Sequence, residues 1–231
     1  MAAAYLARRE RLEEYFDRTA ADAWAQLTSD APVSGVRATV RAGRDRMRAT
    51  LLSWLPNDLT GARLLDAGCG TGALAMEAAA RGAEVVAVDV AERLVDVARR
   101  RTPEALAPRI TYGVGDMLDP AHGAFDYAVS MDSLIHYRTE DVVRAIEALA
   151  PRVARSLAFT FAPRTPALTL MHAAGKLFPR ANRSPEIEPA EETDLRARLA
   201  AAPGLQAFAL GRSERVKSGF YISQALELAR R

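Results

Sequence analysis

Cysteine is nearly absent from this sequence. One thiol, Cys69, occurs among 231 residues, which excludes an intrachain disulfide bond and any metal site built from several cysteines. A single cysteine also fits a reducing compartment. Histidine is scarce as well, with three residues at positions 122, 136 and 172.

Long apolar runs are missing too. No stretch approaches the ~20 consecutive apolar residues that cross a bilayer. The first residues, MAAAYLARRERLEEYF, give only a short apolar run before charges begin, which does not resemble a secretory signal. The net charge of +2 is too small to indicate nucleic-acid binding. We therefore expect a soluble protein of the cytoplasm that binds no nucleic acid.

The remaining composition is that of an ordinary globular protein, 49% hydrophobic and 26% charged. Residues 1–58 are expected to form a helical arm or cap. Residues 8–28 place apolar side chains near one helical face, and a second helix is predicted from Val36 to Leu55. The apolar positions of the first segment are Leu12, Tyr15, Phe16, Thr19, Ala23, Trp24 and Leu27.

From Arg63 onward, short apolar runs alternate with helical stretches. The runs are RLLDAG, EVVAVD, RITYG, FDYAVSM and VARSLAFTFA. Such alternation predicts βαβ units and a mostly parallel sheet, so residues 59–231 are expected to form an α/β domain. A Pro/Arg-rich segment at about 164–192, with one helix-like piece from Leu168 to Phe178, is predicted to be a lid insertion. A helix from Thr193 to Ala202 and strands from Leu205 to Ser213 and Ser218 to Leu228 should follow.

The segment LLDAGCGTGALA carries the clearest signal of a ligand site. Gly68, Gly70 and Gly72 follow the first strand and lead into a helix, where small residues let the backbone approach a ligand. The G-x-G-x-G spacing differs from the G-x-G-x-x-G of nicotinamide and flavin domains. Asp66 ends the strand directly before the glycines.

Further side chains stand at the ends of the next strands. Asp89 lies about 20 residues after the turn, where a carboxylate commonly binds ribose hydroxyls. Asp116 and Met117 suit an adenine edge and face, and Met131 precedes Asp132 after the fourth strand. A helix cap or a core methionine would explain one such residue alone, but not their joint appearance. The pattern predicts a site for a ribose-bearing adenine compound.

These motifs resemble the class I S-adenosylmethionine-dependent methyltransferases over roughly residues 60–162. The resemblance implies a Rossmann-like fold with a mostly parallel seven-stranded sheet and helices on both faces. It also implies S-adenosylmethionine as cofactor, S-adenosylhomocysteine as product and no protein-bound metal. Cys69 is expected to be a small buried filler within the turn. The implied cofactor-binding residues are Asp66, Gly68, Cys69, Gly70, Asp89, Val90, Gly115, Asp116, Met117 and Met131.

A second resemblance extends over essentially the whole chain. The segments YFDRTAADAW, VRATVRAGRDRMR, MDSLIHY, LMHAAGKLFPR and SGFYISQALEL are similar to those of the magnesium-protoporphyrin IX O-methyltransferases of bacteriochlorophyll synthesis. This implies esterification of one propionate of magnesium-protoporphyrin IX, with the magnesium carried by the substrate. It further implies handover from the porphyrin-binding subunit of magnesium chelatase and peripheral association with the photosynthetic membrane.

Arginines and one histidine are the candidates for the acceptor side. Arg37, Arg41, Arg44 and Arg48 recur on one helical face, with Arg46 nearby, and guanidinium groups bind carboxylates through paired hydrogen bonds. We expect Arg37, Arg41 and Arg44 to hold the non-reacting propionate, although a solvated face or a patch for an acidic partner protein would carry the same residues.

His136 follows Met131 by five residues, in the loop where an acceptor would meet the methyl group. It could orient the carboxylate, accept a proton or contact the magnesium, and a histidine at the surface or at the start of a helix is the plain alternative. Tyr137 beside it is a weaker candidate. The resemblance also favours a mobile arm that brings Tyr15 to the site. Relatives of the oxygenic type carry a tyrosine where this chain has Thr28, so that role is not transferred.

Two other functions remain open at this stage. One is a class I methyltransferase for another apolar carboxylate or a phenol, such as a quinone precursor, whose pKa near 10 would demand a real base. The other is a porphyrin carrier that retains the cofactor as a structural ligand. Turnover separates the carrier from both enzymes.

Overall fold

The computed structural model describes residues 3–19, 21–29, 35–164 and 187–231. Its centre is a seven-stranded sheet in the order β3-β2-β1-β4-β5-β7-β6. The first five strands pair in parallel, and β7 runs antiparallel to both of its neighbours. The predicted α/β class is confirmed. The strands are β1 (Arg63–Ala67), β2 (Glu84–Asp89), β3 (Ile110–Val114), β4 (Phe125–Ser130), β5 (Val153–Phe161), β6 (Phe208–Ser218) and β7 (Tyr221–Arg230).

Helices cover both faces of this sheet, which explains why its central strands are almost continuously apolar. One face packs against Met47, Leu51 and Leu74, and the other packs against Ile146 and Leu199. The α-helices are α1 (Ala3–Glu14), α2 (Ala21–Leu27), α3 (Gly35–Ser53), α4 (Ala73–Ala80), α5 (Glu92–Arg101), α6 (Thr139–Leu149) and α7 (Glu192–Ala201).

The position of the site follows from the strand order. β1 lies between β2 on one side and β4 on the other, in parallel register with both. The chain leaves β1 toward β2 and β3, then returns to place β4 on the opposite side of β1. At such a switch point the connecting segments diverge and open a crevice beyond the carboxyl ends of the strands.

Three predicted boundaries were wrong. Residues 8–28 do not form one helix, because α1 ends at Glu14 and a π-helical turn at Tyr15–Thr19 precedes α2. Ala23 is exposed, whereas Ala21 is buried. The last two strands are both shifted toward the C-terminus relative to the prediction, and β6 is longer, because their pairing continues through the polar segment SERVKS to a hairpin closed at Gly219. The periodicity of apolar residues predicts which side of a helix is buried, but it does not predict where an α-helix changes into a π-helical turn.

The proposed lid lies almost wholly outside the described residues, as do His172 and the piece from Leu168 to Phe178. Its two ends come together, since the amide of Arg164 donates to the carbonyl of Ala190 at 2.8 Å, and Ala190 donates to Ala162 at 2.8 Å. The amide of Glu188 also donates to the carbonyl of Ile135 at 2.8 Å, beside the loop that carries His136. Within the described ranges, no helix is long and apolar enough to cross a membrane.

Helix α3 packs directly on the final hairpin. Gly43 faces the ring of Tyr221, and a Cβ at this position would lie 2.5 Å from Cδ1 and 2.8 Å from Cβ of that residue. Tyr221 has little freedom to move aside, because its hydroxyl donates to the carboxylate of Asp132. The helix therefore approaches the sheet at a distance that only glycine permits.

We expect Gly43→Ala to lower the free energy of unfolding by about 1–2 kcal/mol. Overpacking costs about 1–3 kcal/mol, which exceeds the gain of up to about 1 kcal/mol from replacing a helical glycine by alanine. Denaturant unfolding measures the difference. Gly35→Ala is the matched control, because a Cβ there meets nothing within 4 Å. Equal stability of Gly43→Ala and wild type would contradict the close approach.

Candidate active site

A cavity of about 540 Å³ lies at the carboxyl ends of β1, β2 and β4, with residues of α1, α2 and α3 forming other parts of its wall. All ten residues predicted to bind the cofactor line it: Asp66, Gly68, Cys69, Gly70, Asp89, Val90, Gly115, Asp116, Met117 and Met131. Arg41, Arg44, His136 and Tyr137 line the same cavity. The sequence had thus identified one connected site.

The glycine turn forms the floor of the cavity. The amides of Gly68 and Cys69 both donate to the carbonyl of Val88, at 2.8 and 3.0 Å, which ties the turn to the end of β2. Gly68 has a φ of 86°, and a Cβ at this residue would overlap the side chain of Ser133 at 2.3 Å. Left-handed backbone and close packing both require glycine here. The turn consequently exposes backbone rather than side chains to the cavity.

Asp89 is held by the backbone around it. Its two carboxylate oxygens accept from the amides of Gly70 at 2.8 Å and Ala91 at 3.0 Å. Burial raises the pKa of this carboxyl group, while the same backbone hydrogen bonds act in the opposite direction. Each carboxylate oxygen has a second lone pair. A fixed carboxylate with remaining acceptor capacity suits the two neighbouring hydroxyls of a ribose.

Asp66 is the most buried acid of the site, with 1% of its surface exposed. Burial, followed by repulsion from Asp89, raises the pKa of this carboxyl group to about 7. Among the described residues, none forms a hydrogen bond with its Oδ2 atom. A buried acceptor without a donor is costly, so this oxygen fits the ammonium group of an amino-acid ligand.

The arm reaches the opposite end of the cavity. Tyr5 donates its hydroxyl to Asp116 Oδ1 at 3.0 Å, and Arg9 donates to Asp116 Oδ2 at 3.0 Å. The Tyr5 ring stacks on Tyr137 with a centroid separation of 5.0 Å. Asp116 was predicted to bind the adenine edge, and in this structure its carboxylate already has two partners from α1.

His136 and Cys69 are both buried on the cavity wall. His136 is 7% exposed and ends a short 3-10 turn, with its ring centroid 5.9 Å from that of Phe16. It is therefore not a surface histidine. Burial raises the pKa of the Cys69 thiol well above its ordinary value, which supports the interpretation of Cys69 as a neutral filler.

The arginines of α3 differ in what they contact. Arg44 donates to Asp132 Oδ2 at 2.6 Å and its guanidinium lies 4.8 Å from the centre of the Trp24 ring. Arg41 donates to the carbonyls of Leu27 and Gln26 at 2.8 and 3.0 Å, so it fixes the end of α2. Arg37 contacts only the side chain of Gln26, at 3.5 Å, among the described partners and does not line the cavity. Arg48 pairs with Asp45 and Glu77.

Arginines from α5 hold the arm from its other side. Arg101 donates to the carbonyls of Ala25 and Thr28 at 2.7 and 3.2 Å. Arg93 pairs with Asp22 at 2.8 Å and its amide donates to Asp17. Tyr15, in contrast, packs edge-on against Phe16 and is not among the described residues that line the cavity. Its proposed role stays a prediction.

Sequence reasoning missed three residues of the site. Asp132 was named at the end of β4 without a role, although its position directly after Met131 marked the same sheet edge. Trp24 was interpreted as packing or as part of the arm, and Tyr5 gave no signal because it lies in a short apolar run. Within the described ranges, no group of three or more His, Cys, Asp or Glu side chains could hold a metal ion.

Comparisons with known proteins agree with this geometry. Residues 64–156 match the family described as a methyltransferase domain, and residues 130–230 match the magnesium-protoporphyrin IX methyltransferase C-terminus. A magnesium-protoporphyrin O-methyltransferase of Rhodobacter capsulatus is 50% identical over 220 residues, which are 95% of each chain.

Solved structures give the same result. The magnesium protoporphyrin IX methyltransferase of Synechocystis PCC 6803 with bound S-adenosylhomocysteine is 31% identical, has a TM-score of 0.84, and the match covers 96% of this chain and 99% of that one. The same enzyme with bound S-adenosylmethionine gives a TM-score of 0.80 at 28% identity, covering 97% of each chain. With its fold, its crevice and this end-to-end similarity, the chain belongs to the magnesium-protoporphyrin O-methyltransferase family of class I S-adenosylmethionine-dependent methyltransferases.

Proposed function

We infer that the chain transfers the methyl group of S-adenosylmethionine to one propionate of magnesium-protoporphyrin IX and forms the monomethyl ester. The observation that carries this function is one cavity that brings two sets of groups together. Acids and glycines that suit an adenosyl amino acid line it along with His136 and Arg44. Similarity over 95% of the chain to a relative of that activity supports the assignment.

The residues present fit the methyl donor. Asp66 Oδ2 suits the ammonium group, Asp89 suits the ribose hydroxyls, and Met117 is buried at the adenine end. When bound, S-adenosylmethionine supplies an electrophilic methyl group on a sulfonium centre. The adenine role of Asp116 requires that the contacts from Tyr5 and Arg9 be shared or exchanged.

The reaction itself removes charge. A propionate oxygen forms a bond to the methyl carbon as the sulfur–carbon bond breaks, so a carboxylate and a sulfonium become a neutral ester and a thioether. A propionic acid has a pKa near that of Glu, about 4.3, and is already ionised at neutral pH. A site that excludes water favours the loss of opposite charges. The chain therefore needs chiefly to position the carboxylate.

The arginines have to act away from the reacting oxygen. A guanidinium bound to that oxygen would stabilise the ionised ground state more than the transition state. We propose that Arg44 binds the non-reacting propionate and that Arg41 supports it by fixing α2. His136, which lines the same cavity, would orient the reacting carboxylate.

Turnover tests the function directly. Purified protein, S-adenosylmethionine and magnesium-protoporphyrin IX should yield a product heavier by one methylene unit over many turnovers, measured by mass spectrometry. Metal-free protoporphyrin and a quinone-precursor phenol are tested as alternative substrates in the same assay. Methylation of the phenol in place of the porphyrin would sink the assignment, and binding of the porphyrin without any ester would favour the carrier.

The raised pKa of Asp66 predicts pH-dependent cofactor binding. Its folded-state pKa of about 7 exceeds the ordinary 3.8. In the protein without ligand, its contribution to the free energy of unfolding is therefore fully present below about pH 4 and is lost as the pH rises through 7. Binding the cofactor ammonium requires the carboxylate. Affinity for S-adenosylmethionine should therefore weaken as pH falls below 7, with proton release on binding measurable by calorimetry in two buffers.

Asp66→Asn should abolish this pH dependence and weaken binding by about tenfold to a hundredfold, the range expected for a hydrogen bond to a charged group. Asp96→Asn is the control, since Asp96 is an exposed carboxylate paired with Arg99 on α5. If Asp66→Asn kept the pH dependence of wild type, Asp66 would not be the titrating group.

Substitution of His136 separates its possible roles. His136→Ala should lower kcat by roughly a hundredfold, within the range for a positioned proton-transfer or hydrogen-bonding group, and leave cofactor affinity unchanged. His136→Gln keeps a hydrogen-bond donor without a basic nitrogen. Recovery of most activity in the Gln variant indicates orientation, and equal loss in both variants indicates a base. Unchanged kcat in the Ala variant would contradict any role in the reaction.

The handover and membrane contacts remain proposals. The hairpin tip at Gly219 packs on Thr39 of α3, and Val36 and Phe220 are each 53% exposed near this junction. We propose that this surface supports receipt of the porphyrin from the chelatase subunit. Binding of the purified subunit to wild type and to Val36→Ser/Phe220→Ser tests it, and flotation with anionic vesicles tests membrane association separately.

A further inference from the structure

Asp132 combines strained backbone with deep burial. It has a φ of 54°, and it is the only residue other than glycine with positive φ among those described. Its side chain is 4% exposed. Backbone strain of this kind persists only where the surroundings impose it. The strain raises the question of what this carboxylate does at this point of the cavity wall.

Four side chains donate to the Asp132 carboxylate. Arg44 donates to Oδ2 at 2.6 Å, Tyr221 approaches both oxygens at 3.0 and 3.1 Å, and Ser223 donates to Oδ1 at 3.1 Å. Thr160 donates to Oδ1 at 3.2 Å and accepts from the Asp132 amide at 2.7 Å. The donors come from α3, β5 and β7, so the position of the carboxylate is fixed by three separate elements.

Arg44 is held on one edge and one face. Within the described part of the chain, its guanidinium has a single hydrogen-bond acceptor, Asp132, which is contacted by Nη1. Trp24 covers a face of the group at 4.8 Å. A guanidinium has five N–H donors, and Arg44, Asp132, Met131 and His136 all line the same cavity. Nη2 and Nε thus retain donors for a ligand.

The hydroxyl donors also change the charge balance. Tyr221, Ser223 and Thr160 share the negative charge of Asp132, so Arg44 keeps more of its attraction for a second anion. Burial and the neighbouring carboxylate raise the pKa of the Tyr221 hydroxyl above its usual range, which keeps it a donor. Arg44 is therefore held in a fixed orientation by Asp132 but keeps positive charge available for a ligand.

We propose that Asp132 is a positioning residue that sets Arg44 to bind the non-reacting carboxylate of the porphyrin and so contributes to selection of dicarboxylic substrates. This inference rests on the proposed function. A purely structural connection between α3 and the hairpin would affect stability but not the preference for a second carboxylate. The two explanations differ in substrate preference, which is the quantity to measure.

The test compares magnesium-protoporphyrin IX with both regioisomers of a magnesium porphyrin in which one propionate is replaced by an alkyl group. Dissociation constants are measured by porphyrin fluorescence on protein saturated with S-adenosylhomocysteine, and kcat and KM are measured with S-adenosylmethionine. Wild type should prefer the diacid to the better monoacid by on the order of tenfold, the effect of a charged hydrogen bond.

Asp132→Asn and Arg44→Gln should each reduce this preference to near unity, mainly through KM, and leave the affinity for S-adenosylmethionine unchanged. The double variant should lose no more preference than Arg44→Gln alone, because Asp132 acts through Arg44. Additive losses, or a full diacid preference in Asp132→Asn, would overturn the proposal. If the wild-type protein made no ester, that result would contradict the proposed function rather than the role of Asp132.

Two further variants keep the test decisive. Asp141→Asn is the matched control, since Asp141 is a buried carboxylate paired with Arg144 at the same distance of 2.6 Å, in α6 and away from the cavity wall. It should keep the diacid preference. Tyr221→Phe removes one donor from Asp132 and serves if Asp132→Asn does not fold. A preference lowered at least threefold supports the proposal, and an unchanged preference overturns it.

Discussion

The parallel register of β1 with β2 and β4 is the constraint on which the site depends. It brings the ends of three strands to one edge of the sheet, where Asp66 lies among the last paired residues of β1, Asp89 ends β2 and Asp132 follows β4 by two residues. Asp66 and Asp89 repel each other, and this repulsion adds to burial in raising the pKa of Asp66. Asp89 accepts hydrogen bonds from backbone amides and Asp132 accepts them from four side chains, whereas Oδ2 of Asp66 has no partner among the described residues.

The lining of the site carries charges of both signs. Asp66 and Asp89 line the cavity together with Arg44, which pairs with Asp132 and lies over the Trp24 ring. The reaction consumes one charge of each sign, so its products are held less strongly by the same groups than its substrates. The same charged groups that bind the substrates therefore favour release of the products.

Much of this could be predicted from the sequence, because it depends on local patterns. Apolar runs identified the five parallel strands, and the glycine turn, Asp89, Asp116 and Met117, which were predicted to share one crevice, line the same cavity. The arm could not be predicted in the same way. The π-helical turn at Tyr15–Thr19 leaves no signature in the apolar periodicity, and the contact of Tyr5 with Asp116 joins residues about 110 positions apart. The strained backbone of Asp132 likewise arises from three elements and leaves no local signature.

The way the arm is fastened has a consequence for the conditions under which the site is covered. Apart from the hydroxyl of Tyr5, the main polar contacts of residues 3–29 with the rest of the described chain pass through guanidinium groups, from Arg8 and Arg9 of this segment, from Arg41 and Arg44 of α3, and from Arg93 and Arg101 of α5. The more exposed of these contacts are screened by dissolved ions, over a distance of about 8 Å at physiological ionic strength. The packing of these helices against the cavity therefore depends on the salt concentration, and an anionic surface nearby would compete for the same arginines.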